Sequence, residues 1–165
     1  MIPAFRTDGL LPIGRHAASP DEIEQRFVDT FPMSIKRGPL YADWRRRRQE
    51  IAALAAIEME WLNGSYTTAK PNPNDIDAVT FVHVDEWERL SLADRQKLAE
   101  LAMLNSKALF GCDGYLVIVF PRNHPFENVY LRDLGYWERQ WSFTRPEPTT
   151  GLETEKGFVD VRGAP

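Results

Sequence analysis

The chain has 165 residues, of which 43% are hydrophobic and 12% aromatic, and it carries a net charge of −4. This length predicts a single domain over residues 1–165, and the apolar content with a low net charge excludes a disordered chain. With a pI of about 5.4, the chain lacks the overall basic character of duplex-binding domains. Its only cysteine, Cys112, excludes an intrachain disulfide and a cysteine-based zinc site.

The sequence contains no apolar segment that is long enough to span a membrane. No segment approaches the ~20 consecutive apolar residues that a membrane-spanning helix requires. The first residues contain no apolar run of the length typical of signal peptides. We therefore expect a cytoplasmic protein that does not associate with a membrane.

In the first half of the chain, prolines and glycines divide two helical patterns. Ser19 followed by Pro20 is typical of a helix start, with serine as the N-cap and proline at the first helical position. Asp43 is suited to cap a second helix. The predicted elements are an extended N-terminal arm over 1–19, a helix from Pro20 that ends before Pro32, a loop over 36–39 and a helix over about 44–57.

The second half of the chain alternates strands and helices. The run 115–120 is the most apolar of the chain and predicts a central strand buried on both faces. Ser91 with Asp94 resembles a capping box. The predicted elements are a strand over 58–62, a loop over 70–74, a strand over 75–84, a helix from Ser91 towards Leu109, the strand over 115–120, a helix over about 127–141, and a loop with a short edge strand within 144–165.

This order of elements predicts an α/β (α+β) fold with a small mixed sheet flanked by helices.

The segment between the predicted strands over 58–62 and 75–84 contains most of the residues that indicate a function. The first of these strands leads into Gly64-Ser65, nine residues follow, and an Asp-x-Asp pair opens the next strand.

Asp75 and Asp77 form that pair. On a strand, side chains at i and i+2 point to the same face, so the two carboxylates lie side by side. Without a neutralising charge they would repel each other and favour protonation of one of them. Mg²⁺ removes this repulsion and is usually held by one or two carboxylates together with substrate phosphates. The pair therefore predicts a site for Mg²⁺ or Mn²⁺ that binds together with a nucleotide.

Gly64 and Ser65 form a turn at the end of a strand. Glycine allows the backbone to approach a ligand closely, and the turn offers backbone N–H groups and a hydroxyl to phosphate oxygens. Lys70, in the same connection, adds a positive charge for the phosphates. These residues predict a binding site for a nucleoside triphosphate.

Asp113 is the best candidate for a third carboxylate. It precedes the strand predicted over 115–120, which lies beside the strand over 75–84 if the intervening helix crosses over the sheet. In that position Asp113 helps to hold a second metal ion and accepts the proton of an attacking hydroxyl.

The combined pattern of Gly64-Ser65, Asp75-Ile76-Asp77 and a later strand-borne Asp113 resembles the nucleotidyltransferase superfamily typified by DNA polymerase beta. Within that superfamily, residues 64–77 (GSYTTAKPNPNDID) are similar to a family of small bacterial and phage proteins. Gly9-Leu10-Leu11-Pro12 and Lys156-Gly157 also match that family, so the resemblance spans most of the chain.

The resemblance implies metal on Asp75 and Asp77 and a triphosphate, such as ATP, on Gly64-Ser65. The implied reaction transfers a nucleoside monophosphate to an acceptor hydroxyl on a protein, an RNA or a small molecule, and releases pyrophosphate. Two features depart from the pattern. Asn63 stands where the superfamily usually has an apolar residue, and Asp113 precedes its predicted strand.

These departures, and the absence of an evident domain for acceptor recognition, leave a second class of function open. In this alternative the protein is a catalytically degenerate module that binds a nucleotide or a protein partner, as an antitoxin binds its toxin. The two classes differ in whether Asp75 and Asp77 are required for the interaction.

Two further features suggest nucleic acid but have simpler explanations. The run Arg45-Arg46-Arg47-Arg48 points around nearly the whole circumference of a helix, so we expect a solvated face with some arginines paired to acids. A third, weaker hypothesis is that this run binds RNA. The aromatic residues near the C-terminus have a spacing that favours core packing over base stacking: Tyr130, Tyr136, Trp137, Trp141 and Phe143.

Overall fold

A computed structural model describes residues 1–162 as one five-stranded sheet with flanking helices. The strands are β1 (Gly14–Ala18), β2 (Ile57–Asn63), β3 (Ile76–His83), β4 (Cys112–Val119) and β5 (Gly157–Val161). The α-helices are α1 (Pro20–Glu24), α2 (Arg37–Ala52), α3 (Val84–Glu88), α4 (Leu92–Ala99), α5 (Ser106–Phe110) and α6 (Glu127–Trp141). Two π-helical segments, Gln25–Asp29 and Glu100–Leu104, and a 3-10 helix, Gly64–Thr67, complete the helical structure.

The strand order is β1-β5-β2-β3-β4. The outer pairs, β1 with β5 and β3 with β4, are parallel, and the inner pairs are antiparallel. The predicted mixed α/β fold, a small mixed sheet flanked by helices, is confirmed. Because β2 and β3 are antiparallel and β4 runs parallel to β3, the end of β2 and the starts of β3 and β4 meet at one edge of the sheet.

Two hydrophobic clusters cover the two faces of the sheet. Because successive side chains on a strand point to opposite faces of the sheet, Trp61 of β2 lies in one cluster and Leu62 in the other. Helix α6 covers the face with Trp61, and its Trp141 packs into that cluster. The other face is covered by α1, α2, α4 and α5.

Of the three predicted helix caps, Ser19 and Ser91 are confirmed, and Asp43 is wrong because it lies inside α2. Ser19 caps α1 through a capping box with Glu22, and Ser91 caps α4 by accepting a hydrogen bond from the backbone N–H of Asp94. The loop predicted over 36–39 is wrong, because α2 begins at Arg37. Pro39 is tolerated in this first turn because its missing N–H has no partner there.

Three expectations about the sheet are wrong. The arm predicted over 1–19 contains a strand, β1, and the edge strand predicted within 144–165 is β5, which lies between β1 and β2 with all five residues buried. Residues 163–165 lie outside the described residues. Strand β4, predicted to be central, is an edge strand. Its apolar sequence reflects helices packed on both faces, since Val117 and Cys112 belong to opposite clusters.

The arginine run of α2 is largely internal. Arg47 and Arg48 are buried, and both donate hydrogen bonds to the buried carboxylate of Glu60, at 2.6 and 2.9 Å. Arg47 also donates to Thr80 Oγ1, at 3.0 Å, and to Ser106 Oγ, at 2.9 Å. The expected pairing of some arginines with acids is confirmed, but the expectation of a solvated face is wrong for half of the run. This buried network joins α2, β2, β3 and α5.

Candidate functional site

A cleft of about 740 Å³ opens at the sheet edge where β2 ends and β3 and β4 begin. Its size lies within the range of about 300–1,000 Å³ typical of small-molecule sites. All six of the predicted site residues line it: Gly64, Ser65, Lys70, Asp75, Asp77 and Asp113.

Strand register brings the carboxylates together. Asp77 pairs with Asn63 of β2 on one side and with Asp113 of β4 on the other, so Asp77 and Asp113 lie on neighbouring strands, about 4.8 Å apart along the hydrogen-bonding direction. Asp75 directly precedes β3, two residues before Asp77. The sequence predicted Asp113 before its strand, and this is wrong, because β4 begins at Cys112 and contains Asp113.

The charges of this carboxylate group, Asp75, Asp77 and Asp113, are only partly compensated. Burial raises the pKa of Asp77, and the negative charges of Asp75 and Asp113 raise it further. The ammonium group of Lys107, on α5, lies 2.9 Å from Asp75 Oδ2 and 3.5 Å from Asp113 Oδ2. The Lys107 side chain is 60% exposed, so this cation is held at the surface of the cleft.

Gly64 is required by the geometry at the end of β2. Its φ of +78° is strained for any residue with a side chain, and a Cβ atom at this position would overlap the carboxylate of Asp77. The Gly64-Ser65 turn thus packs directly against the predicted metal ligand. Only glycine permits this close approach.

Arg37 holds the segment that follows Ser65. Its buried guanidinium donates hydrogen bonds to the carbonyl oxygens of Tyr66, Thr68 and Lys70 at 2.7 to 2.8 Å. Burial lowers the pKa of Arg37 to about 10, so the side chain stays charged at neutral pH. No pattern in the sequence indicates this role, because the partners are backbone atoms about 30 residues away.

Two further cations were missed by the sequence reasoning. Lys156 is 6% exposed and its ammonium donates a hydrogen bond to Asn63 Oδ1. Burial lowers the pKa of Lys156 to about 8, while the charge of Asp77 opposes this shift. Arg145 also lines the cleft, and its charge lowers the pKa of Asp77. The match of Lys156-Gly157 to the resembling family was the one available signal.

Aromatic side chains form one side of the cleft. The expected core packing holds for Trp141, which is buried, and for Tyr130 and Trp137, which pack against the same cluster. Tyr136 is different, because it is 54% exposed and lines the cleft.

None of the helices described within residues 1–162 has the length and apolar character of a membrane span.

Within the same residues, no group of three or more His, Cys, Asp or Glu side chains is arranged to hold a metal ion. Asp75 and Asp113 instead share the Lys107 ammonium. Asp75 and Asp113 nonetheless present two carboxylates to one cation, and carboxylate oxygens are the donors that Mg²⁺ prefers.

The protein is thus a mixed α/β protein with a charged, partly aromatic cleft at one sheet edge. The chain belongs to a family described as "Family of unknown function (DUF6932)", whose model matches residues 3–162. No curated protein and no solved structure matches the chain.

Proposed function

We propose that the protein is a metal-dependent nucleotidyltransferase that transfers a nucleoside monophosphate from a nucleoside triphosphate to an acceptor hydroxyl. One observation carries this proposal: a single cleft is lined by the Gly64-Ser65 turn, which packs against Asp77, and by Asp75 and Asp113 beside it. The sequence resemblance to the DNA polymerase beta superfamily supports it independently of the fold.

The Gly64-Ser65 turn binds the triphosphate in this proposal. The 3-10 helix that begins at Gly64 offers backbone N–H groups and the Ser65 hydroxyl to phosphate oxygens. Arg37 keeps this segment in place without itself reaching the cleft surface. The side chain of Lys70 is exposed at the cleft and adds a positive charge beside the phosphates.

The three aspartates serve the metal and the acceptor in this proposal. Asp75, Asp77 and Asp113 would hold Mg²⁺ or Mn²⁺. The metal would neutralise negative charge on the phosphates and on the attacking and leaving oxygens. The acceptor oxygen forms a bond to the α-phosphorus, the bond from that phosphorus to the pyrophosphate oxygen breaks, and pyrophosphate leaves. Asp113 accepts the proton of the acceptor hydroxyl, since it lies at the open side of the group.

Calorimetric titration with ATP, GTP, CTP and UTP, with and without Mg²⁺ or Mn²⁺, tests the proposal. We expect metal-dependent binding that is lost in the Asp75→Asn/Asp77→Asn double variant. The matched control is Asp85→Asn/Asp133→Asn, which removes the same charge from residues outside the cleft. Unchanged binding and turnover in the Asp75→Asn/Asp77→Asn variant would refute the proposed site.

One observation favours the second class of function, a degenerate module that binds a nucleotide or a protein partner. The Lys107 ammonium already pairs with both Asp75 and Asp113. A cation that the protein itself supplies compensates part of the repulsion between the carboxylates, which a metal ion would otherwise have to remove. A co-purifying protein complex that survives Asp75→Asn/Asp77→Asn, in a chain that does not bind nucleotide, would support this alternative.

A further inference from the structure

Four aromatic side chains that line the cleft contact one another and are called here the aromatic wall. Its members are Tyr115, Tyr136, Trp137 and Trp141. The ring of Trp137 is central, because its centroid lies 4.3 Å from that of Tyr115, 5.1 Å from that of Tyr136 and 5.6 Å from that of Trp141. These four rings thus form a continuous surface and not a set of separate side chains.

The aromatic wall begins beside the carboxylate group. Tyr115 lies two residues after Asp113 on β4, so both side chains project from the same face of the strand. The pKa of Tyr115 is raised by burial and then by the negative charges of Asp113 and Asp77. The aromatic wall therefore begins close to the Gly64-Ser65 turn as well, because that turn packs against Asp77.

The members of the wall differ in burial. Trp141 is buried against Phe158 and fixes the wall to the core, while Tyr136 is 54% exposed on α6. Gln140, one turn after Tyr136, also lines the cleft and adds an amide group that donates and accepts hydrogen bonds. A rigid aromatic surface with an exposed ring and a polar group at its margin suits a flat heteroaromatic ligand.

We propose that the aromatic wall binds the base of the nucleoside triphosphate by stacking, with Tyr136 as its exposed contact. This inference rests on the proposed function, because it assigns the base of the same nucleotide whose phosphates lie at Gly64-Ser65. Stacking on an aromatic side chain is tolerant of base identity, since every base has a π-face.

Calorimetry with two probes in the presence of Mn²⁺ tests the proposal: ATP and inorganic tripolyphosphate. We expect wild-type protein to bind ATP about 5- to 150-fold more tightly than tripolyphosphate, the range for one stacked base. Tyr136→Ala should remove most of this difference by weakening ATP alone. Tyr136→Phe keeps the ring and should retain ATP affinity to within about twofold.

Leu131→Ala is the matched control, because Leu131 is an exposed apolar residue of α6 that does not line the cleft. Equal affinity of the wild type for ATP and tripolyphosphate would overturn the base site and leave the phosphate site intact. Equal weakening of both probes by Tyr136→Ala would also overturn it. Binding of neither probe by the wild type would refute the proposed function, and the base site with it.

Discussion

Two groups of charged residues lie on opposite faces of the sheet and differ in how their charges are compensated. On one face, the Glu60 carboxylate receives hydrogen bonds from Arg47, Arg48 and the Trp44 indole, and all of these residues are buried. At the other, the carboxylate group of three aspartates has the exposed ammonium of Lys107 between two of its members, and the charge of the buried Lys156 acts on the third, Asp77.

From this difference we infer a structural role for the Glu60 network and a ligand-binding role for the three aspartates. A closed network in which the carboxylate is fully bonded fixes the packing of α2 on the sheet and offers nothing to a ligand. Burial, and then the negative charges of Asp75 and Asp113, raise the pKa of Asp77 at an open cleft, and shifted pKa values of this kind are typical of functional sites. Variants of the two groups test this contrast.

The largest effect is expected for Glu60→Ala. The variant leaves Arg47 and Arg48 as buried charges without their carboxylate, and removing one partner of a buried pair costs about 3–5 kcal/mol of stability. Urea unfolding followed by circular dichroism measures this loss. Asp43→Ala, which removes an exposed pair with Arg46, should cost no more than about 1 kcal/mol. Similar losses in both variants would contradict a special role for the buried network.

Gly64→Ala should have the next largest effect. The positive φ of Gly64 costs about 1–3 kcal/mol for alanine, and the added methyl group displaces the Asp77 carboxylate. We therefore expect reduced stability and loss of metal-dependent nucleotide binding in the same variant. Gly135→Ala is the control: Gly135 lies in α6 with open space around it, so alanine should stabilise the protein by about 0.5–1 kcal/mol.

A Gly64→Ala variant that binds nucleotide as the wild type does would show that the Gly64-Ser65 turn is not the phosphate site. The stability measurement by itself would not show this, since strain alone lowers it. The two measurements on one variant therefore separate backbone strain from ligand binding.

The spacing of residues 64–77 made the central part of the site predictable. The turn and the Asp-x-Asp pair belong to one strand–turn–strand segment, so local periodicity places them at the same end of the sheet. Asp113 followed from the expected parallel crossover, and β3 and β4 are parallel. These six positions needed only local pattern and one rule of sheet topology.

The remaining features depend on contacts between distant segments. Strand β1 pairs with β5 across about 140 residues, and neither strand carries a local signal for its partner. Arginine runs are usually solvated, and only the buried Glu60, which follows Arg47 by 13 residues, explains the burial of half the run. Lys107 and Lys156 reach the cleft from α5 and from the segment before β5, so no spacing in the sequence predicted them.

Asp77→Asn should change the pH dependence of stability by a smaller amount than the first two variants. The pKa of Asp77 is raised in the folded protein, so folding favours its protonated form. Wild-type stability in chelator should therefore fall as pH rises from about 3.8 through the raised pKa, and the substitution to asparagine removes this fall. Thermal unfolding from pH 3.5 to 8 measures the difference.

The addition of Mn²⁺ sharpens this test. A ligand that binds the folded state stabilises it, so Mn²⁺ should stabilise the wild type at neutral pH and have less effect on Asp77→Asn. Asp85→Asn, at an exposed position outside the cleft, should follow the wild type in both buffers. A pH profile of Asp77→Asn that parallels the wild type would mean that neither burial nor the neighbouring carboxylates raise the pKa of Asp77.

Lys107→Met should have the smallest effect on stability, within about 1 kcal/mol, because the ion pairs of Lys107 are exposed. Its effect on metal binding separates the two classes of function. If the ammonium competes with a divalent metal for Asp75 and Asp113, its removal should raise Mn²⁺ affinity about 2- to 5-fold, the value of one exposed ion pair. Electron paramagnetic resonance of free Mn²⁺ measures this affinity.

Lys97→Met is the matched control for Lys107→Met. Lys97 is an exposed residue of α4 that does not line the cleft, so its replacement removes the same charge and should leave Mn²⁺ affinity unchanged. Tighter binding in Lys107→Met alone would identify Lys107 as a cation that the metal replaces. Absence of Mn²⁺ binding in both variants and in the wild type would mean that the three aspartates do not form a metal site, which would favour the degenerate module.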